Sequence, residues 1–198
     1  MVGPTTFGYQ NLGFGAGGVL DLGKLEHLQT QTVSSQFCDF TALQEATYNV
    51  HLFTFTDIHI GTSSSPNQTE FNYRLSNDGG TSYETGYQFA NQRGIADGSF
   101  AERKSSSQDS ARLFGDIDED AHSLGNGYMY LYNAGDSAKY TFATSHTVFS
   151  DFQDLAAFEF GSQVYDHSET INAVRFGASV SLTALTSATI SLYGIAES

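Results

Sequence analysis

Apolar and polar residues alternate with a period of two in one short run after another, and no long run carries the 3.6-residue period of a helix. The run Ala188–Ile195 near the C-terminus is the plainest case: Ala188, Ile190 and Leu192 fall on one face, Thr189, Ser191 and Tyr193 on the other. That is a half-buried β-strand, expected to be a central or closing strand, with the alternating run Ile171–Phe176 just upstream as its expected partner. Similar runs lie at 36–43, 46–60, 70–76, 83–89, 111–114, 128–132, 138–142, 147–149, 155–161, 163–165 and 178–182. Both faces of 46–60 are partly apolar, which predicts a central position for it. Asn77-Asp78-Gly79-Gly80 signals a tight turn with 83–89 as the returning strand. Residues 91–126 are polar and read as long loops, broken only by 111–114. Roughly nine to eleven short strands with frequent turn signals predict an all-β fold, an antiparallel β-sandwich of jelly-roll type.

At 198 residues the chain can bury a core without covalent staples. Its single cysteine, Cys38, excludes an intrachain disulfide, reads as a small core residue beside Phe37 and Phe40, and suits assembly in a reducing cytoplasm. The formal net charge is −14, and only Lys24, Lys104 and Lys139 are lysines. Such a chain repels phosphate backbones and anionic bilayers, so neither nucleic acid nor membrane is an expected partner. The start of the chain lacks the basic and apolar regions of a secretory signal, and no apolar run reaches the roughly 20 residues of a membrane span.

Residues 1–23 hold seven of the 20 glycines, interleaved with Phe7, Tyr9, Leu12 and Phe14. A merely disordered leader would be poor in aromatics, so the expectation is an extended arm whose aromatic anchors order on a neighbouring subunit. Residues 20–28 read as a short helix or an irregular connector. The predicted organisation is an arm and connector over 1–29 and one β-sandwich over 30–198.

Six features, taken along the chain, resemble a known group: the glycine-aromatic leader; Tyr48 opening a long apolar strand that ends in a loop with Pro66; Tyr73-Arg74-Leu75-Ser76-Asn77-Asp78-Gly79-Gly80-Thr81-Ser82-Tyr83; Gly127-Tyr128-Met129-Tyr130-Leu131-Tyr132-Asn133; Ile171-Asn172-Ala173-Val174-Arg175-Phe176; and the terminal Ile190-Ser191-Leu192-Tyr193-Gly194-Ile195. In this order they resemble the small β-sandwich virion proteins of tailed bacteriophages, which serve as capsid decoration (cement) proteins and as tail or fibre modules. The resemblance implies a structural role, commonly as a homotrimer, and carries no catalytic or metal signature.

Asp116, Asp118 and Asp120 at alternate positions would suit a hard cation such as Ca²⁺, but Ala121 stands where an EF-hand needs its turn glycine and Gly127 where it needs its bidentate Glu. A solvated acidic loop is the expectation, and no cofactor is expected. His27, His51, His59, His122, His146 and His167 show no metal spacing, and no Gly-x-Ser-x-Gly elbow exists. The Tyr128/Tyr130/Tyr132 face is expected to serve core or interface packing, with sugar binding as the alternative. The expected function is that of a non-enzymatic capsid decoration protein on the outer surface of the virion, bound to the major capsid protein or other virion proteins. The alternatives are a tail or fibre module that binds a host receptor or glycan through 91–126 and the tyrosine face, and a polysaccharide-degrading enzyme.

Overall fold

A computed structural model describes residues 24–60, 70–117, 124–178 and 184–196. They form twelve strands and no helix: β1 (Leu25–Gln36), β2 (Cys38–Phe40), β3 (Val50–His59), β4 (Glu70–Ser76), β5 (Tyr87–Ile95), β6 (Phe100–Gln108), β7 (Ala111–Gly115), β8 (Gly125–Tyr132), β9 (Thr141–Ser150), β10 (Ala156–Tyr165), β11 (Ala173–Ala178) and β12 (Leu185–Ile195). Two antiparallel sheets pack face to face, one ordered β1-β12-β3-β8-β9-β10-β5-β6, the other β2-β11-β4-β7.

The pairs β1·β12, β2·β11, β3·β8 and β4·β7 nest first-with-last, and successive pairs fall in alternate sheets. This is jelly-roll topology. Two hairpin insertions extend it. β5–β6 leaves between β4 and β7, β9–β10 between β8 and β11, and together they widen the sheet carrying β8 from four strands to eight.

The final strand pairs with β1 and β3, not with Ile171–Phe176; β11 lies in the opposite sheet between β2 and β4. Neighbours in sequence are not neighbours in a jelly roll, because each connection between nested pairs crosses from sheet to sheet. The same rule moves the strand after Asn77-Asp78-Gly79-Gly80 into the other sheet, where it starts at Tyr87 rather than Tyr83. Gly79 and Gly80, both at positive φ, redirect the chain, and Asn172 at the start of β11 accepts the Gly79 N–H at 2.8 Å. Residues 91–126 are not mainly loop: β5 runs on to Ile95 and β6 follows as its hairpin partner. The half-buried positions of β6 are Ala101, Arg103, Ser105 and Gln108, so no hydrophobic periodicity betrays the strand. Residues 25–29 belong to β1 rather than to a helix or connector. The predicted runs 138–142 and 147–149 fall in the single strand β9, and 155–161 and 163–165 in β10.

Beneath the four-stranded sheet the core is aromatic. Phe176 is fully buried, and its ring lies 5.2 Å from Phe53, 5.4 Å from Phe55 and 5.7 Å from Phe71. The close approach of Tyr48 explains Gly194 in the terminal strand: a Cβ there would lie 2.5 Å from the Tyr48 ring. Tyr48 in turn donates its hydroxyl to Glu26 at 2.7 Å.

Candidate functional site

The inserted strands place side chains against the usual rule. In β9 the outward residues are Phe142, Thr144, His146 and Val148, while Thr141, Ser145 and Thr147 face inward and are buried. In β10 Phe158, Phe160 and Val164 point outward, while Glu159 and Gln163 are buried. A lone antiparallel sheet with one wet face should read the other way round. Two consequences follow, one on each side of the sheet.

On the inner side the buried polar groups form a connected network, in which Arg93 Nε and Gln163 Oε1 are left without a partner. Arg112 of β7 reaches Glu159 at 3.0 Å and also contacts Glu70. Arg93 pairs with Asp116 and, at 3.4 Å, with Asp151, and Arg103 reaches Asp116 at 2.6 Å. Burial pulls the Arg93 guanidinium below its usual range, against the pull of Asp116 and Asp151, whereas at Arg112 the opposing effect of burial is outweighed by Glu159 and Glu70. Asp151 also accepts the N–H groups of Gln153 and Leu155, closing the β9–β10 turn. Amides and a hydroxyl from the large sheet donate to the backbone of β7: Asn91 to the Arg112 carbonyl at 3.1 Å, Gln163 to the same carbonyl at 3.3 Å, and Thr147 to the Leu113 carbonyl at 3.4 Å. β7 is the edge strand of the four-stranded sheet, and these side chains satisfy carbonyls that no fifth strand pairs.

Asp116 is thus committed to arginines. Asp118 and Asp120, its two companions as metal candidates, lie outside the described residues, as do the arm residues Phe7, Tyr9, Leu12 and Phe14. Among the described residues no three His, Cys, Asp or Glu side chains group as a metal site. Cys38 is buried, and burial, with Asp39 adding to it, pushes its thiol up to about 12. Five of the histidines are described and they do not converge: His51 is buried under Tyr48, His146 stands on the outer face, and His27, His59 and His167 lie at separate points.

On the outer side the strands are in register and the side chains form rows. Tyr128 of β8, His146 of β9 and Phe160 of β10 lie side by side, with ring centroids 5.9 Å and 6.2 Å apart. The next row joins Asn126, Val148, Phe158 and Gly94, and another joins Tyr132, Phe142 and Val164. Tyr128 is 42% exposed, Phe142 45%, Phe160 47% and Val148 52%. The tyrosine row therefore lies outside the core, with Met129 and Leu131 filling it instead. A shallow depression of ≈ 510 Å³ runs between Tyr128, Tyr130, Thr144, His146 and Phe160.

This face is also free of charge. The outward positions of β8, β9, β10 and β5 carry no Asp, Glu, Lys or Arg. Charges enter at its margins: at the β6 edge, where Lys104 and Glu102 pair with each other at 2.6 Å, and at the exposed Asp57 in the β3 bulge, whose N–H donates to Asn126 at 3.1 Å. On the other flank Thr54, Ser191 and Thr30 continue the Tyr128 row as hydroxyls. Sequence reasoning found the tyrosines but missed Val148, Phe158 and Phe160. The signal was present in Thr141–Tyr165, where Phe142, Val148, Phe158, Phe160 and Val164 share a parity with Thr144 and Ser162 and oppose Glu159 and Gln163, although Phe149 and Tyr165 fall on the inward parity.

Fold and surface together define an all-β jelly roll with a widened, uncharged, aromatic sheet face. No protein-family model matches the chain, and no curated protein matches it.

Proposed function

We propose that the chain is a non-enzymatic structural protein of a tailed-phage virion, a capsid decoration protein that binds the outer capsid surface through the major capsid protein or its neighbours. The observation that carries the reading is the inverted patterning of β9 and β10. A chain of net charge −14 that places phenylalanines and a valine on a charge-free face, and buries Glu159 behind it, has the surface expected of an assembly component. The motifs that resemble phage virion proteins add to it: those among the described residues fall in or beside β4, β8, β11 and β12, all members of the nested strand pairs. The test is composition and cryo-EM of purified particles of the virus that encodes the chain. Stoichiometric density on the shell is the expected result, and absence from the particle overturns the reading.

A second reading, a tail or fibre module that binds a host glycan, is favoured by one observation: Tyr128, Tyr130, Thr144 and His146 line one depression with aromatic and hydroxyl groups together. Saturable binding on a glycan array would select it.

A further inference from the structure

The outer face of the eight-stranded sheet poses a question of its own: what covers it. We infer that it is covered by the same face of a second copy, in a two-fold contact whose axis runs along β9. The inference rests on reading this face as an assembly surface, but not on the virion assignment.

Three observations lead to a copy of the chain itself. The first is size. With the axis along β9 seven strands of each copy overlap, β1 lying beyond the edge; at about 4.8 Å spacing and four outward rows at about 6.8 Å they give a projected face of roughly 900 Å², against about 800 Å² per partner in a stable interface. The second is charge. Two copies of net −14 repel each other over most approaches, but the outward positions of β8, β9, β10 and β5 offer a direction without like-charge contact. The third is self-complementarity, which an isologous contact demands. With the axis along β9, the Tyr128/Tyr130 strand of one copy lies over the Phe158/Phe160 strand of the other. β3, with Leu52 and Thr54 outward, then meets β5, with Ala90 and Gln92 outward, and the hydroxyls of Thr189 and Ser191 on β12 meet the Glu102–Lys104 edge of β6. An aromatic centre meets an aromatic centre and a polar rim meets a polar rim, the anatomy of a specific interface. Stacked sheets in this arrangement bury their facing side chains in a layer about 10 Å thick.

A glycan is the weaker occupant. The exposed centre is rich in Phe142, Val148, Phe158 and Phe160, which offer no hydrogen bonds, and it lacks the carboxylates and arginines that would hold sugar hydroxyls in place.

The test is sedimentation equilibrium of the full chain and of the double variant Val148→Glu/Phe160→Glu from about 1 to 100 µM, with circular dichroism and thermal melts as fold controls. Both side chains are about half exposed, so the monomer should keep its fold. The wild type is expected to sediment as a dimer, twice the 21.4 kDa chain mass, or 42.8 kDa. The variant should associate at least about 100-fold more weakly, because four like charges would be buried in the contact. A milder variant, Val148→Ser, should weaken association about 10-fold and covers the case in which the double variant misfolds. A monomeric wild type at the highest concentration overturns the inference, as does an oligomer of any order that these substitutions leave intact. So does a monomer that binds a glycan competitively with mutation of this face. Capsid binding by a monomeric wild type would sink the two-fold contact while leaving the virion reading standing. A dimer absent from particles would do the reverse.

Discussion

The interior of this sandwich has two halves that obey different rules. Under the nested strands, β11 and β4 face β12 and β3 with Val174, Phe176, Phe71, Phe53 and Ile190, and cohesion comes from apolar burial and edge-to-face rings. A few strands away, where the inserted hairpins pass behind β7, the same layer mixes apolar groups such as Tyr87, Phe114, Phe149 and Tyr165 with Arg93, Arg112, Asp116, Asp151, Glu159, Asn91 and Gln163. The difference follows from what each half has to cover. The nested half closes sheet on sheet. The inserted half meets an edge strand with open carbonyls, and apolar side chains there would leave those carbonyls unpaired at about 1–3 kcal/mol each. The polar half is the cost of widening one sheet without widening the other.

The largest effect is expected in the apolar half. Phe176→Ala removes the ring on which Phe40, Phe53, Phe55 and Phe71 converge, and should destabilise by about 4 kcal/mol in urea unfolding. A loss under about 1.5 kcal/mol would mean that the two sheets are less tightly closed there than described.

The polar half should respond differently to single and double substitution. Glu159→Ala leaves Arg112 buried with Glu70 as its main remaining partner and should cost about 3 kcal/mol. Replacing both at once, Arg112→Met with Glu159→Leu, removes the buried pair and leaves only the partly exposed Glu70 without its arginine, and should recover at least half of that loss, because a buried pair is often no better than packed apolar groups. If the double variant is worse than the single by the full cost of a second lesion, the network stabilises the fold beyond what its desolvation takes away. The Asn91 and Gln163 bonds to the Arg112 carbonyl do not depend on the Arg112 side chain, so the β7 edge remains satisfied in either variant.

The apolar half was largely legible in the sequence, because Phe71/Tyr73/Leu75 and Ala188/Ile190/Leu192 alternate with polar residues as half-buried strands must. Strand pairing was not. Period two places a side chain on a face, but the choice between β11 and β1 as the partner of β12 is made by sheet-crossing connections that leave no local trace. The polar half escaped for the opposite reason. In β10 the pattern was visible, but Glu159 and Gln163 would ordinarily be given to solvent and Phe158 and Phe160 to the core, and only the position of β7 shows that the assignment is reversed. Asp116 illustrates the limit: its neighbours in sequence suggested a solvated acidic loop, with a cation as the weaker candidate, whereas it is buried and its neighbours in space are Arg93 and Arg103, from the 91–126 stretch that read as loop.

The smallest effect tests whether a titratable group in the apolar half behaves as an intruder there. His51 is buried; its Nε2–H donates to the Leu43 carbonyl at 2.8 Å, and its Nδ1 has no partner. Burial lowers its pKa from the ordinary 6.5, more than the Leu43 carbonyl and Glu45 restore. The native ring therefore stays neutral at pH values where the unfolded ring is already protonated, so the unfolded state binds more protons just below pH 6.5. His51 contributes fully above pH 6.5, and its contribution falls as the pH drops from there toward the folded pKa, with a slope of at most about 1.4 kcal/mol per pH unit. His51→Gln can keep a donor for the Leu43 carbonyl without the titration. Its unfolding midpoint should therefore lose less between pH 6.5 and pH 5 than that of the wild type, with every other group contributing equally to both. Parallel profiles would mean that His51 is solvated or paired when protonated, and that the apolar half is more open at Tyr48 than its packing indicates.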